Sequence, residues 1–322
     1  MNILRKMKEV IKAGVIYSFD FKNEKRYSTL ITDRTAQQEM LLSAMVVDAH
    51  TIEKGLTMPQ KRYPFGEAKA RTILNDCNEY VKRGYNLSEP RFLDIVSIMK
   101  EYRDVHIQHG QIVEDINEQT DKLLQIIHQP VNNQQLYSVS REDYFSHSND
   151  NFPVFSNSRH SCRNLPGHVS DERLKAALAL SMNVPSTCNR QSHRVHLLQS
   201  DKAKRIILSI QHGCRGFGNI VDQFILITSD LNCWEGGKVR HAPYLDGGIY
   251  LMNLLYSLHH EQIAACTLNM YLDKNTTMRM HKLLHIPNNE VPVALIAIGI
   301  PPEKFDLARS HRRKFEEITQ IH

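Results

Sequence analysis

DGGIYLMNLLYSLHHEQIAACTLN, residues 246–269, puts two patterns side by side. Residues 247–260 read as a helix. Its 249–258 stretch is apolar nearly all round, so it needs cover on every side, in a large core or in a dimer interface. Residues 263–268 then read as a strand. Further strand-like runs stand at 194–198, 224–228 and 291–300, with a helical stretch at 276–285. Another helix opens at Asp171, with Ser170 as its N-cap and Leu174, Ala177 and Leu178 on its buried face. Strands mixed with helices in this way imply an α+β or α/β domain built on a central sheet.

Upstream the texture differs. Residues 1–130 read as a helical region, with apolar periodicity over 38–53, 67–81 and 90–128. Residues 131–157 (VNNQQ, then SHSNDN) are polar and poor in aliphatics, the composition of a linker. The expected division is therefore 1–130, 131–157 and 158–322. Lys8 and Lys12 interrupt any apolar core near the start, which excludes a secretory signal; a solvated helix is the expectation there, with a weak amphipathic membrane contact as the alternative.

Bulk properties narrow the class. The chain has 322 residues, 41% hydrophobic and 23% charged, which suits a globular protein with a sizeable core. A net charge of +5, with no long Lys/Arg block, argues against a nucleic-acid tail and suits a local anion site. Cys77, Cys162, Cys188, Cys214, Cys233 and Cys266 form no Cys-x-x-Cys pair, so they read as reduced thiols of a cytoplasmic protein. No apolar run is long enough for a membrane span. The histidines show no His-Glu-x-x-His spacing, and no metal site is expected.

Two clusters carry chemistry. Arg159-His160-Ser161-Cys162-Arg163 sets two guanidiniums and a hydroxyl close enough to surround a phosphate dianion; a solvated basic turn is the other reading. Pro185-Ser186-Thr187-Cys188-Asn189-Arg190-Gln191 follows a helix that Pro185 should stop. It offers donors and acceptors suited to a flat heterocycle, or forms an ordinary capping loop.

With DGGIYLMNLL (246–255), QIAACTLN (262–269) and IPNNEVPVALIAIGIPP (286–302), these clusters stand in the order found in the nitroreductase family of FMN-dependent NAD(P)H oxidoreductases. The second half of the chain resembles that family, in a subgroup with a long helical N-terminal extension. The resemblance implies an α+β fold: a nitroreductase-like mixed central sheet surrounded by helices, preceded by the all-helical region. It implies FMN as cofactor, NADH or NADPH as electron donor, a small-molecule substrate, and a homodimer with one flavin in each of two equivalent clefts.

By the same resemblance, Arg159, Ser161 and Arg163 match positions that hold the FMN phosphate and ribityl chain, and His160 a flavin-contacting position. Pro185, Ser186, Asn189 and Gln191 match a loop that reaches the flavin, often from the partner subunit. Leu268 and Asn269 match the segment whose backbone N–H approaches flavin N5, and Arg312, or its neighbour Arg313, a second phosphate-binding base. The implied reaction is ping-pong hydride transfer through N5 to an electron-poor acceptor such as a nitroaromatic or a quinone, with no side chain assigned as acid or base. Dehalogenase or oxidase chemistry on the same scaffold, or a non-catalytic flavin-binding module, are the alternatives. Departures from the family pattern are Gln262-Ile263-Ala264 in place of Gly-Leu-Gly, Met270 in place of Gly, and Ser192-His193 after Gln191.

Gly213-Cys-Arg-Gly-Phe-Gly218 follows a helix and precedes a strand, the reverse of a dinucleotide fingerprint. Its place in the family pattern puts Arg215 beside the flavin pyrimidine edge; a surface arginine in a glycine loop is the plain alternative. In the helical half, His50 to Gly55 reads either as a wall of the substrate cleft or as a helix end stopped by Gly55 with His50 and Glu53 bonded locally.

Overall fold

The computed structural model describes residues 3–28, 33–127, 131, 135–234 and 237–322. In chain order the helices and strands are α1 (Ile3–Tyr27), α2 (Gln38–Leu56), α3 (Glu67–Lys82), α4 (Pro90–Gln108), α5 (Glu114–Ile126), β1 (Leu136–Ser140), α6 (Arg141–Phe145), α7 (Phe152–Ser158), α8 (Asp171–Leu180), β2 (His193–Leu198), α9 (Asp201–Leu208), β3 (Gln223–Asp230), α10 (Ala242–His260), β4 (Ala264–Asn269), α11 (Lys274–Leu284), β5 (Glu290–Gly299), β6 (Lys304–Ala308) and α12 (Phe315–Ile318). Two compact units divide the chain: Phe21–Ser138 with Asp306–His322, and Met1–Asp20 with Val139–Phe305. The expected boundaries thus differ from these units at both ends. The tail from Asp306 groups with the helical unit, and residues 1–20 group with the sheet unit.

In the helical unit, Leu41, Leu42, Met45, Ala49, Ile52 and Leu56 recur along one face of α2, and all are buried. They share one core with Ile73, Leu74 and Tyr80 of α3, Phe92, Ile95 and Met99 of α4, and Ile116 and Leu123 of α5. The periodicity over 90–128 is two helices rather than one. Gly110, at φ 71°, takes the left-handed turn that ends α4, and its N–H donates to the Ile107 carbonyl at 3.0 Å. Gly55 does not stop α2, which runs on to Leu56. Its lack of a side chain serves packing instead, because a Cβ there would lie 2.2 Å from the Phe65 ring.

The sheet unit is built on four strands in the order β2-β3-β5-β4, antiparallel in every pair. A parallel bridge between Ser161 and Ala265 on β4 gives the sheet its mixed character. Strand β3 is buried from Gln223 to Ser229, so its apolar run shows no alternation. Helix α10 lies on this sheet, where Tyr250, Leu254 and Leu258 join Ile225, Ile227, Ile296 and Ile298 in one core. Gly247 allows that approach: a Cβ would stand 2.8 Å from Val293 Cγ2. The cover on α10 is one-sided, with Tyr244, Leu245 and Met252 exposed.

Residues 131–157, expected as a linker, carry β1, α6 and α7. The polar residues that suggested a loop cap these short helices. The Ser140 side chain accepts from the Asp143 N–H, and the Asn151 side chain from the Val154 N–H. Tyr144 and Phe145 are buried behind them.

Candidate functional site

Arg159 stands at the C-cap of α7, and the next residues run extended beside β4, where the Cys162 N–H donates to the Ala265 carbonyl at 3.0 Å. The His160 carbonyl accepts from the Tyr144 hydroxyl at 2.6 Å, which pins the segment from behind. Burial pushes the Cys162 thiol up to about 12, so it stays protonated and packs as an apolar group. On either side of it the guanidiniums lack partners among the described residues. Arg163 is only 6% exposed, and among the described residues its side chain has no hydrogen bond or ion pair. Arg159 Nε is buried and also lacks a hydrogen-bond partner.

His259 is fully buried, with Nε2 2.8 Å from Ser158 Oγ. Burial first, then the nearby charges of Arg159, His160 and His260, push its ring down to about 4. A neutral His259 leaves Arg159 and Arg163 as the permanent charges here.

The 185–191 loop is held from α10. Helix α8 ends at Leu180, ahead of Pro185, so Pro185 does not stop it. Asp246, buried near the start of α10, accepts from both the N–H and the hydroxyl of Thr187. Beyond Thr187 the chain takes positive φ at Cys188 (51°), Asn189 (55°) and Gln191 (47°), a conformation costly for any side chain but glycine. The Gln191 N–H donates to Ser186 Oγ at 3.0 Å, and the exposed Gln191 amide donates to Asn189 Oδ1 at 3.0 Å. Arg190 reaches over the Trp234 ring, 5.5 Å from its centroid. After the loop, Ser192 is buried with its hydroxyl 2.8 Å from that of Ser229, and His193 stacks on Tyr250 at 4.1 Å.

At the far end of β4, Leu268 and Met270 are buried and Asn269 is exposed. Gln211 ties the glycine loop to this point: its amide donates to the Asn269 carbonyl at 2.9 Å, while its Oε1 accepts from the Gly213 and Cys214 N–H groups. Arg215, on that loop, is exposed. The structure thus brings Arg159–Arg163 alongside β4 and the 211–215 loop against its end, and holds the 185–191 loop on α10.

Arg312 belongs to the helical unit, where its guanidinium donates to the Ser310 and His311 carbonyls. In the same unit His50 Nδ1 lies 3.0 Å from Glu53 Oε2, and Glu53 accepts from the Ser310 N–H at 2.8 Å. Burial raises the Glu53 carboxyl, but the His50 and Ser310 bonds leave it below its usual range. The His50 bond is the local one expected of a helix end, whereas the Ser310 bond comes from the distant tail. Among the described residues no three His, Cys, Asp or Glu side chains gather as metal ligands would. None of their helices is long and apolar enough to cross a membrane.

Asp246 and Gln211 are the site residues that the sequence reading left unassigned. An acid inside an otherwise apolar helix is the signal for Asp246. Gln211 carries no signal of its own.

No family model matches this sequence, and no curated protein matches it. Solved structures do. One is a nitroreductase family protein of Streptococcus pneumoniae, 17% identical, covering 53% of this chain and 100% of its own, with a TM-score of 0.47. Another is a nitroreductase family protein of Clostridium difficile, 20% identical, covering 53% of this chain and 97% of its own, with a TM-score of 0.44. A third, from Clostridium novyi, is 19% identical over 47% of this chain and 86% of its own, with a TM-score of 0.41. Over about half its length this chain is similar to structures of the nitroreductase family.

Proposed function

We propose that the sheet unit binds FMN and that the protein is an NAD(P)H oxidoreductase of the nitroreductase type, working as a cytoplasmic homodimer. The observation that carries this reading is the pair of arginines on this segment: Arg163, a residue 6% exposed and without an acidic partner among the described residues, and Arg159, whose buried Nε has no hydrogen-bond partner among them. An arginine so little exposed and without a counter-charge is unfavourable, and an anionic ligand would offset that. A phosphate monoester dianion suits two guanidiniums and the Ser161 hydroxyl carried on one short segment.

In this reading Arg159, Ser161 and Arg163 hold the phosphate and ribityl chain, with His160 beside them. Leu268 and Asn269 present backbone to the ring, Arg215 supplies positive charge near its pyrimidine edge, and Pro185, Ser186, Asn189 and Gln191 form the loop that covers it. The preset strain of that loop suits a surface that meets a ligand or partner. Bound FMN would supply ping-pong hydride transfer from NADH or NADPH to an electron-poor acceptor, a nitroaromatic or a quinone.

The test begins with the purified protein. It should be yellow, release FMN rather than FAD on heating, and oxidise NAD(P)H in the presence of a quinone or nitroaromatic. Failure to bind added FMN would overturn the proposal, and flavin reduction without acceptor turnover would remove its catalytic part.

A further inference from the structure

Helix α1 carries a broad apolar face that the fold does not use. Its covered positions up to Asp20 are Ala13, Ile16 and Asp20, one narrow stripe at helical spacing. On that stripe Ala13 approaches Gly237 so closely that a Cβ there would fall 2.9 Å from the Ala13 methyl. Asp20 accepts from Arg240 Nη2 at 2.6 Å and lies 3.4 Å from His241 Nε2. At 3.6 residues per turn, Met7, Ile11 and Val15 fall on the opposite side of the helix, with Val10 on the flank of that face. All four are exposed, Val10 at 72%.

The charges bordering that face indicate what covers it. Lys6 and Lys8 fall on its two edges, both exposed and without an acidic partner among the described residues. Lys12 lies further round the polar side, paired with Glu9 at 2.8 Å. An apolar stripe flanked by lysines has the form of a helix that lies in a membrane interface. The lysines would meet lipid phosphates while the aliphatic side chains enter the acyl boundary. A second copy of the same face fits poorly, because it would bring lysine edges together.

We propose that α1 is a peripheral docking element that seats the protein on an anionic phospholipid surface through Met7, Val10, Ile11 and Val15, with Lys6 and Lys8 on the headgroups. This is independent of the flavin reading.

The test is flotation of the full chain with phosphatidylcholine vesicles containing about 30% phosphatidylglycerol, at about 0.1 M salt. The protein should float with these vesicles, but not with pure phosphatidylcholine. Val10→Glu with Ile11→Glu should abolish flotation. Lys6→Glu with Lys8→Glu should weaken it roughly tenfold or more. All four positions are exposed, so circular dichroism should be unchanged; should the apolar pair disturb the fold, the lysine pair and added salt decide alone. No flotation by the wild type, equal flotation on neutral vesicles, or flotation indifferent to these variants and to salt would overturn the proposal. So would a wild type that does not float and whose sedimentation mass falls on Val10→Glu with Ile11→Glu, since the face would then be a protein interface.

Discussion

Asp246 accepts two hydrogen bonds from Thr187, one from its backbone N–H and one from its hydroxyl, each at 2.9 Å. The pair links the first turns of α10 to a loop in which Cys188, Asn189 and Gln191 all sit at positive φ. Each such residue costs about 1–2 kcal/mol, so the loop needs an external anchor. Asp246→Ala should therefore destabilise the protein by about 2–4 kcal/mol, because it leaves the Thr187 donors unpaired. Thr187→Val keeps the backbone bond and should cost only about 1 kcal/mol. Denaturant unfolding measures both. Equal, small losses would show that the loop keeps its shape without Asp246.

Arg163 gives a prediction with two opposite signs. Arg163→Met removes a buried charge that lacks a partner among the described residues, so the flavin-free protein should become more stable, by about 1–4 kcal/mol. The same change should weaken FMN binding, as should Arg159→Ala, by roughly ten- to a hundred-fold, the loss expected for one charge-assisted bond of about 1.5–3 kcal/mol. Thermal unfolding of the flavin-free variant and fluorescence titration with FMN read the two effects separately. Loss of stability together with unchanged affinity would mean that Arg163 is structural.

How far the sequence carried can be seen at particular residues. Strands β2 to β5 were legible because β-branched and aliphatic runs such as FILIT in β3 stand between clear helix and turn signals. The break at Gly110 was not, since apolar spacing continued across it from Met99 to Ile112 and Ile116 and only the backbone dihedral marks the turn. Residues 131–157 misled because serine and asparagine caps of short helices have the composition of a loop. At the candidate site, residue types pointed to Arg159 and Arg163, but their missing counter-charge is a property of packing. Gln211 was invisible for the same reason. Its role depends on where β4 ends in space.

His259 makes the sheet unit acid-sensitive in a defined window. Its ring is pushed down to about 4, chiefly by burial, whereas in the unfolded chain it takes a proton near 6.5. The unfolded state therefore binds more protons between those values. The contribution of His259 to stability is full above about pH 6.5 and is lost as pH falls towards 4, by up to about 3 kcal/mol. Asp94, in the helical unit, is raised to about 6 by burial first, and it works in the opposite direction over the same range. The comparison must therefore be with His259→Phe, which removes one titration and keeps the other. Urea midpoints between pH 4 and 7 should fall more steeply with acid in the wild type than in this variant. Parallel curves would mean that His259 titrates alike in both states.

Helix α10 sets the last prediction. One face is buried on the sheet through Tyr250, Leu254 and Leu258. The other presents Tyr244, Leu245 (61% exposed) and Met252 (37% exposed), with Ile249 partly covered between them. These positions recur at helical spacing, so they form one apolar stripe rather than scattered residues. A second copy of the same face would bury it across a two-fold axis, which needs no complementarity beyond its own. The wild type should then sediment at twice its 37.2 kDa chain mass. Leu245→Lys with Met252→Lys should shift it to monomer. Because the 185–191 loop hangs from Asp246 on this helix, flavin should be lost along with the dimer. Obligate interfaces behave this way, since the folded subunit and its partner are not separately stable. Sedimentation velocity of the flavin-loaded protein, read at both protein and flavin wavelengths, checks both outcomes at once. A monodisperse monomer carrying stoichiometric FMN would sink the homodimer and leave the Arg159–Arg163 site complete within one chain.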